Sequence, residues 1–317
     1  MTNAEIPAGG ADEDSRPRDR ALVERMLRLF DLEAQGAGQF RIAGMEGESR
    51  RLFGGQLVAQ ALAAATRTVR DERRVHSLHA YFIRAGVTTS PLEFAVAEDA
   101  DGGSLSFRRV LVSQDERPLL SLSASFQPLL EGFLHQVAAP AVPPPESLED
   151  DYVRAARLDS LPAAAKALIN RASPFRFRST DLERRYDIAD RAAPQEYWLR
   201  IAAPLPDPSQ AFQRIVFAYA SDMMLLGAAL VPHGLRWFSG GARIASIDHA
   251  LWIHGDVRMD DWLLIQHDAP WSGDGRGLNR GRIFDRTGRL VATVMQEGSM
   301  RPAPGPTERP AKPSAQE

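Results

Sequence analysis

Cysteine is absent from the 317 residues. That excludes disulfides, thiol nucleophiles, iron–sulfur clusters and every zinc site that needs sulfur. Lysine is nearly absent: Lys166 and Lys312 are the only two among 38 basic residues, a bias toward arginine with no functional reading. There is no block of basic residues and the formal net charge is −3, so the electrostatic footprint of a nucleic-acid-binding protein is missing. The N-terminus is acidic and polar and lacks the apolar core of a signal peptide. The C-terminus, Ser314-Ala315-Gln316-Glu317, lacks a Ser-Lys-Leu type address. The longest apolar run, residues 215–231, carries Asp222 near its middle. Spanning a bilayer takes about 20 apolar residues, and a central carboxylate is costly there. The expectation is a cytoplasmic protein with no membrane and no nucleic-acid partner.

What is present suits a folded chain. Hydrophobic residues make up 44% and charged residues 25%, a balance that can bury a core. The length fits two domains of roughly 100–200 residues each. Chemistry is left to carboxylates, hydroxyls, amides, seven histidines and the backbone.

Residues 1–20 and 302–317 read as disordered tails, the second holding five prolines and little to bury. A helix is expected over 21–32 and a strand near 39–42. Phe53-Gly54-Gly55 then opens a helix with Leu57, Val58, Ala61, Leu62 and Ala65 on one face. Four strands should follow. In the last, Leu120, Leu122, Ala124 and Phe126 alternate with Ser121, Ser123 and Ser125, which gives one buried and one polar face. The turns are Glu98-Asp99-Ala100-Asp101-Gly102-Gly103 and Gln114-Asp115-Glu116-Arg117-Pro118. A long helix with hairpin-spaced strands predicts an α+β layer with an antiparallel sheet.

The same order then recurs. A proline-rich and then arginine-rich stretch, 131–194, reads as a linker. A strand over 196–201, a long apolar helix and further strands follow it. His79-Ala80-Tyr81-Phe82 lines up with His249-Ala250-Leu251-Trp252, and Ser125-Phe126-Gln127 with Val294-Met295-Gln296. Ser272-Gly273-Asp274-Gly275 answers Asp99-Ala100-Asp101-Gly102. The expected organisation is 21–130 as one repeat and 195–301 as the second.

Asp222 is the anomaly, the one charged residue in 215–231. A carboxylate there is expensive to bury unpaired. It could cap a helix beginning at Ser221-Asp222, or position a catalytic water, and the two readings are compatible. The histidines read as structural or hydrogen-bonding residues and not as metal ligands: His76 and His79, or His249 and His254, would face opposite ways on a strand, and no metal-binding helical spacing occurs. The glycines at 273, 275, 277 and 281 lack the phosphate-loop spacing, and no Gly-x-Ser-x-Gly elbow exists. Gln127 and Gln296 end apolar strands. Arg280 and Arg282 share a strand face and read as a solvated pair.

These segments resemble the acyl-CoA thioesterase II family from about residue 25 to Arg301. The match rests on Phe53-Gly54-Gly55-Gln56, on Val75-His76-Ser77-Leu78-His79-Ala80-Tyr81-Phe82 and on Tyr219-Ala220-Ser221-Asp222. Ile244-Ala245-Ser246-Ile247-Asp248-His249 and Gln296-Glu297-Gly298-Ser299-Met300-Arg301 complete it. The resemblance implies an α+β double hotdog, two tandem repeats each packing a long helix on an antiparallel sheet. It implies hydrolysis of acyl-CoA to fatty acid and CoA, with no cofactor and no metal, by a homo-oligomer. It places the catalytic residues at Asp222, Ser246 and Gln296, which would orient water against a thioester, with a covalent route through Asp222 left open. The hydroxyl position is often threonine in that family, and serine keeps the oxygen with a less fixed rotamer. Backbone N–H groups near a helix start, Gly55 among them, are candidate oxyanion donors. Met223, Met224 and Trp252 are candidates to line an acyl tunnel, with core packing as the alternative. In the first repeat His76 would match Ser246, Gly54 or Gly55 would match Asp222, and Gln127 would match Gln296, so the second half should supply the trio. A non-catalytic acyl-CoA-binding module and a hotdog enoyl-CoA hydratase are the competing readings. The hydratase would need an Asp-x-Asn-Pro-x-His signature that does not occur.

Overall fold

The computed structural model describes residues 17–45, 50–191 and 194–303. Helix α1 (Pro17–Leu27) runs into a 3-10 turn, Arg28–Phe30, and strands β1 (Glu33–Gly36) and β2 (Gln39–Ile42) follow. Helix α2 (Gly54–Thr66) leads to β3 (Arg74–Phe82), β4 (Leu92–Asp101), β5 (Ser106–Gln114) and β6 (Arg117–Gln127). The second half repeats this order. It begins with β7 (Phe175–Ser179) and β8 (Gln195–Ile201), and helix α6 (Gln210–Ser221) runs into a 3-10 stretch, Leu225–His233. Strands β9 (Ala242–Ser246), β10 (Asp248–Ile253), β11 (Leu263–Gly273), β12 (Arg276–Phe284) and β13 (Leu290–Pro302) close the chain.

All strands join one 13-stranded sheet, ordered β1-β2-β4-β5-β6-β3-β10-β13-β12-β11-β8-β7, with β9 also on β13. The order is a palindrome about the β3–β10 seam. Across it Asp248 pairs with Tyr81 and Leu251 with Leu78. Adding 170 to Leu78 and Tyr81 gives Asp248 and Leu251, so an offset of 170 maps the pairing onto itself. This is the double hotdog expected from the sequence.

Helix α2 is apolar all round because it is enclosed all round: residues 57–65, Gln60 included, are buried between the sheet, α6 and the 3-10 turn after α1. Gln60 Nε2 donates to Leu29 O at 2.8 Å, which meets its polar demand. Leu62 and Phe217, both wholly buried, each stabilise the fold by about 1.5–3 kcal/mol. In β6 the apolar members of the serine alternation all face this core.

Two expectations change. The 131–194 stretch is not only a linker: it holds α3 (Asp151–Arg157), α4 (Ala163–Ile169) and α5 (Leu182–Tyr186), and β7 pairs with β8. Arg178 of this stretch and Arg200 of the second repeat both lie over the Trp262 ring, at 4.6 and 4.8 Å. Of the tails, residues 17–20 are helical and Pro302 ends β13, while 1–16 and 304–317 lie outside the described residues. The apolar stretch that holds Asp222 meets a membrane span's length and composition, yet 72% of its window is buried inside the fold.

Candidate active site

Helices α2 and α6 lie side by side and antiparallel, so the start of one meets the end of the other. Ser209 caps α6 by accepting the Phe212 N–H, and the helix stops at Ser221. Asp222 is its C-cap, and Met224 turns the chain with φ of +63°. A left-handed non-glycine residue costs roughly 1–2 kcal/mol. The turn is held from outside: Arg185 Nη2 donates to Met224 Sδ at 2.6 Å, and the Ala229 N–H donates to Asn279 Oδ1 at 2.7 Å.

The capping reading of Asp222 is therefore corrected. It ends its own helix and serves another: the Gly55 N–H, in the first turn of α2, donates to Asp222 Oδ2 at 2.8 Å. A carboxylate is disfavoured at a helix C-terminus and favoured at an N-terminus, and α2 supplies the compensating amides. Two glycines permit the approach. A Cβ on Gly54 would lie 2.7 Å from Asp222 Oδ2, and one on Gly55 would lie 2.3 Å from Tyr219 O. With its N–H engaged by Asp222, Gly55 is not a free oxyanion donor.

Gln296 lies within β13, which runs on to Pro302 instead of ending there. Its Nε2 donates to Asp222 Oδ1 at 2.5 Å. That contact fixes the amide orientation, since the reverse would set oxygen against oxygen. Gln296 is wholly buried, and its Oε1 has no partner among the described residues. Asn279 Nδ2 donates to the Gln296 backbone carbonyl at 3.1 Å and steadies the strand.

Ser246 is brought to the same face, but not into contact. It ends β9 opposite Gly298, two residues beyond Gln296. Cross-strand partners share a face and diagonal neighbours lie about 7–8 Å apart. Among the described residues its hydroxyl makes no hydrogen bond to Asp222 or Gln296.

His249, set aside on its spacing, proves part of the cluster. Between Ser246↔Gly298 and Ala250↔Met295 the register slips by one residue, a bulge around Ile247 and Asp248. The extra residue puts His249 on the face that carries Ser246. Ser221 Oγ donates to Ala218 O at 2.9 Å, so at its 2.9 Å contact with His249 Nε2 it accepts. His249 Nδ1 is left as an acceptor facing Gln296 Nε2 at 3.4 Å. Burial holds the His249 pKa below the ordinary histidine value, against the opposing pull of Asp222 and Asp248, and the ring stays neutral.

The equivalent place in the first repeat is differently furnished. The C-cap of α2 is Arg67, so Arg67, and not Gly54 or Gly55, is the counterpart of Asp222. Arg67 donates to the backbone carbonyl oxygens of Leu32 and Phe30. His76, the counterpart of Ser246, contacts Ser125 Oγ at 2.8 Å, and Gln127 is half-buried opposite Arg74. Arg280 is forked onto Asp268, at 3.0 and 2.5 Å, and its side chain stays 40% exposed, in keeping with a surface position.

The fold is that of a double-hotdog protein, with a helix-capping carboxylate bound to a buried amide where the two repeats meet. The chain belongs to the acyl-CoA thioesterase family. The acyl-CoA thioesterase N-terminal domain profile matches residues 44–127 and the C-terminal domain profile matches 145–300. Human acyl-coenzyme A thioesterase 8 is 33% identical over 97% of this chain and 99% of its own. Acyl-CoA thioesterase 2 of Haemophilus influenzae is 31% identical over 88% of this chain and 98% of its own. A solved acyl-CoA thioesterase II from Mycobacterium marinum superposes with a TM-score of 0.71 at 34% identity, covering 90% of this chain and 100% of that one. A hotdog-fold protein from Alicyclobacillus acidocaldarius, 19% identical with a TM-score of 0.69, shares the fold over 89% of this chain and 99% of its own.

Proposed function

We propose that the chain hydrolyses acyl-CoA thioesters to a carboxylic acid and CoA by direct attack of water, with Asp222, Ser246 and Gln296 as the catalytic residues. The observation that carries the site is the contact of Gln296 Nε2 with Asp222 Oδ1, which leaves Gln296 Oε1 buried and without a partner. A buried acceptor needs a donor, and water donates two protons. One O–H of the attacking water meets Gln296 Oε1 while Asp222 takes the other proton as the water oxygen bonds to the carbonyl carbon. Ser246 holds the water from the neighbouring strand. The tetrahedral oxyanion collapses, the carbon–sulfur bond breaks, and the CoA thiolate takes the proton that Asp222 accepted, which restores the carboxylate. Both Asp222 oxygens already accept hydrogen bonds, which favours its acting as a base over forming an anhydride.

The same reading makes the protein a cytoplasmic homo-oligomer of lipid metabolism. Phe133 and Leu134, fully exposed after β6, support the oligomeric part.

The experiment is thiol release from acyl-CoAs by the native chain and by Asp222→Asn, with hydration of an enoyl-CoA measured alongside. The native chain should release thiol without hydrating the enoyl group. The variant should fold and lose about 10²–10⁴-fold in kcat, the usual contribution of a positioned base. Near-normal turnover by Asp222→Asn would sink the assignment. Binding of acyl-CoA without thiol release would favour a non-catalytic module.

A further inference from the structure

A cavity of about 780 Å³ lies against the candidate site, and the hotdog elements alone do not enclose it. One wall comes from the helices and their flanks: Phe53 just before Gly54, Tyr219 three residues before Asp222, and Met223 just after it. The other comes from the inter-repeat segment, through Ala167 and Leu168 on α4 and Phe177 on β7. Phe53 and Tyr219 meet edge to face with centroids 5.0 Å apart, and both line the cavity. Tyr219 is closely enclosed, and burial, followed by the nearby Asp222 charge, pushes its pKa up to about 12.

The chemistry of the walls selects the occupant. Four arginines line the cavity, Arg18, Arg171, Arg176 and Arg185. Arg176 pairs with Asp19 at 2.6 Å and lies 3.7 Å from Asp150, and Arg185 lies over the Tyr197 ring and 3.6 Å from Asp151. An anionic ligand would have to displace these partners of Arg176 and Arg185 and would face Asp19, Asp150 and Asp151, which also line the cavity. An apolar chain would only have to replace water along aromatic, methionine and alanine surfaces. The volume falls within the roughly 300–1,000 Å³ of small-molecule pockets.

We propose that this cavity receives the acyl chain, and that the inter-repeat segment, through α4 and β7, sets the chain length accepted. The inference rests on the thioesterase reading and adds to it a specificity-determining wall outside both hotdog repeats. Met223 and Met224 line the cavity, whereas Trp252 packs edge-on against His79 and is not part of it.

Two opposed substitutions test it, with kcat/KM measured on a series from butanoyl-CoA to palmitoyl-CoA. Ala167→Trp fills the cavity from α4. It should cost decanoyl-CoA and longer substrates about tenfold or more and leave butanoyl-CoA within about twofold, since apolar pockets discriminate by chain contact. Leu168→Ala enlarges the cavity and should move the optimum toward longer chains. Opposite shifts support the proposal. Equal losses at every length, or an unmoved profile in Leu168→Ala, overturn it. If Ala167→Trp is insoluble, the Leu168→Ala profile decides alone. A native chain inactive on every acyl-CoA would sink the thioesterase reading and this inference together. An active chain with an unmoved profile sinks only this inference.

Discussion

Gly54 and Asp222 stand so close that a Cβ on the glycine would fall 2.7 Å from Asp222 Oδ2 and 3.1 Å from the Phe82 ring. Helix propensity alone would favour Gly54→Ala by up to about 1 kcal/mol. The added methyl must instead push the carboxylate off its two hydrogen bonds. Gly54→Ala should melt within a few degrees of the parent and lose on the order of a hundredfold in turnover, the cost of misplacing a group by about 1 Å. Parental kcat in a steady-state assay would show that the approach of α2 to α6 serves packing only.

The two glutamines should separate. Gln296 holds Asp222 and carries the unpartnered buried oxygen, whereas Gln127 is half-buried opposite Arg74. Gln296→Ala should cost about 10²–10³ in kcat, the scale for loss of one preorganised hydrogen-bonding group. Gln127→Ala should stay near the parent. A larger loss at Gln127 would place the working site in the first repeat.

His249→Phe preserves a buried ring and removes the acceptor that faces Gln296 Nε2. The amide then keeps only its Asp222 contact and is held less tightly, so kcat should fall about tenfold, for roughly 1.4 kcal/mol of lost positioning, while KM stays level. A rise in KM with unchanged kcat would point to substrate binding instead.

His267 gives a prediction about stability. It is fully buried against Tyr197, and burial, with a smaller push from Arg185, lowers its pKa to about 3. Between that value and the ordinary 6.5, the unfolded chain binds a proton that the folded chain does not, so stability falls as pH falls. The contribution is about 1.4 kcal/mol per pH unit over that window. Denaturant midpoints from pH 7 to 4 should drop less steeply in His267→Gln than in the parent. Parallel curves would mean that His267 titrates normally.

Much of the fold was legible because period and order survive in the sequence. The serine alternation of β6 and the apolar face of α2 follow from which side meets the core, and the repeated order of elements is the palindromic sheet read along the chain. The inter-repeat segment was not legible, because Arg178 lays its planar face on Trp262 and a polar composition hides that contact. Asp222 was singled out by its charge, but a residue next to Ser221 carries no sign of whether it caps its own helix or one 167 positions earlier. His249 was read as structural or hydrogen-bonding and does hydrogen-bond, but its place beside Gln296 was not legible. Counting by twos puts Ser246 and His249 on opposite faces, and the slip near Ile247 brings them to one.

The β3–β10 seam has a consequence for how the molecule can change. If two identical single-repeat chains met across that seam, every substitution would appear at both ends of the helix pair. A carboxylate gained at one helix end would be gained at the other, and so would an arginine. Here the halves are covalently joined yet keep the self-matching register, so each end is free to vary alone. Asp222 occupies one end and Arg67 the other, which no strictly two-fold assembly could hold.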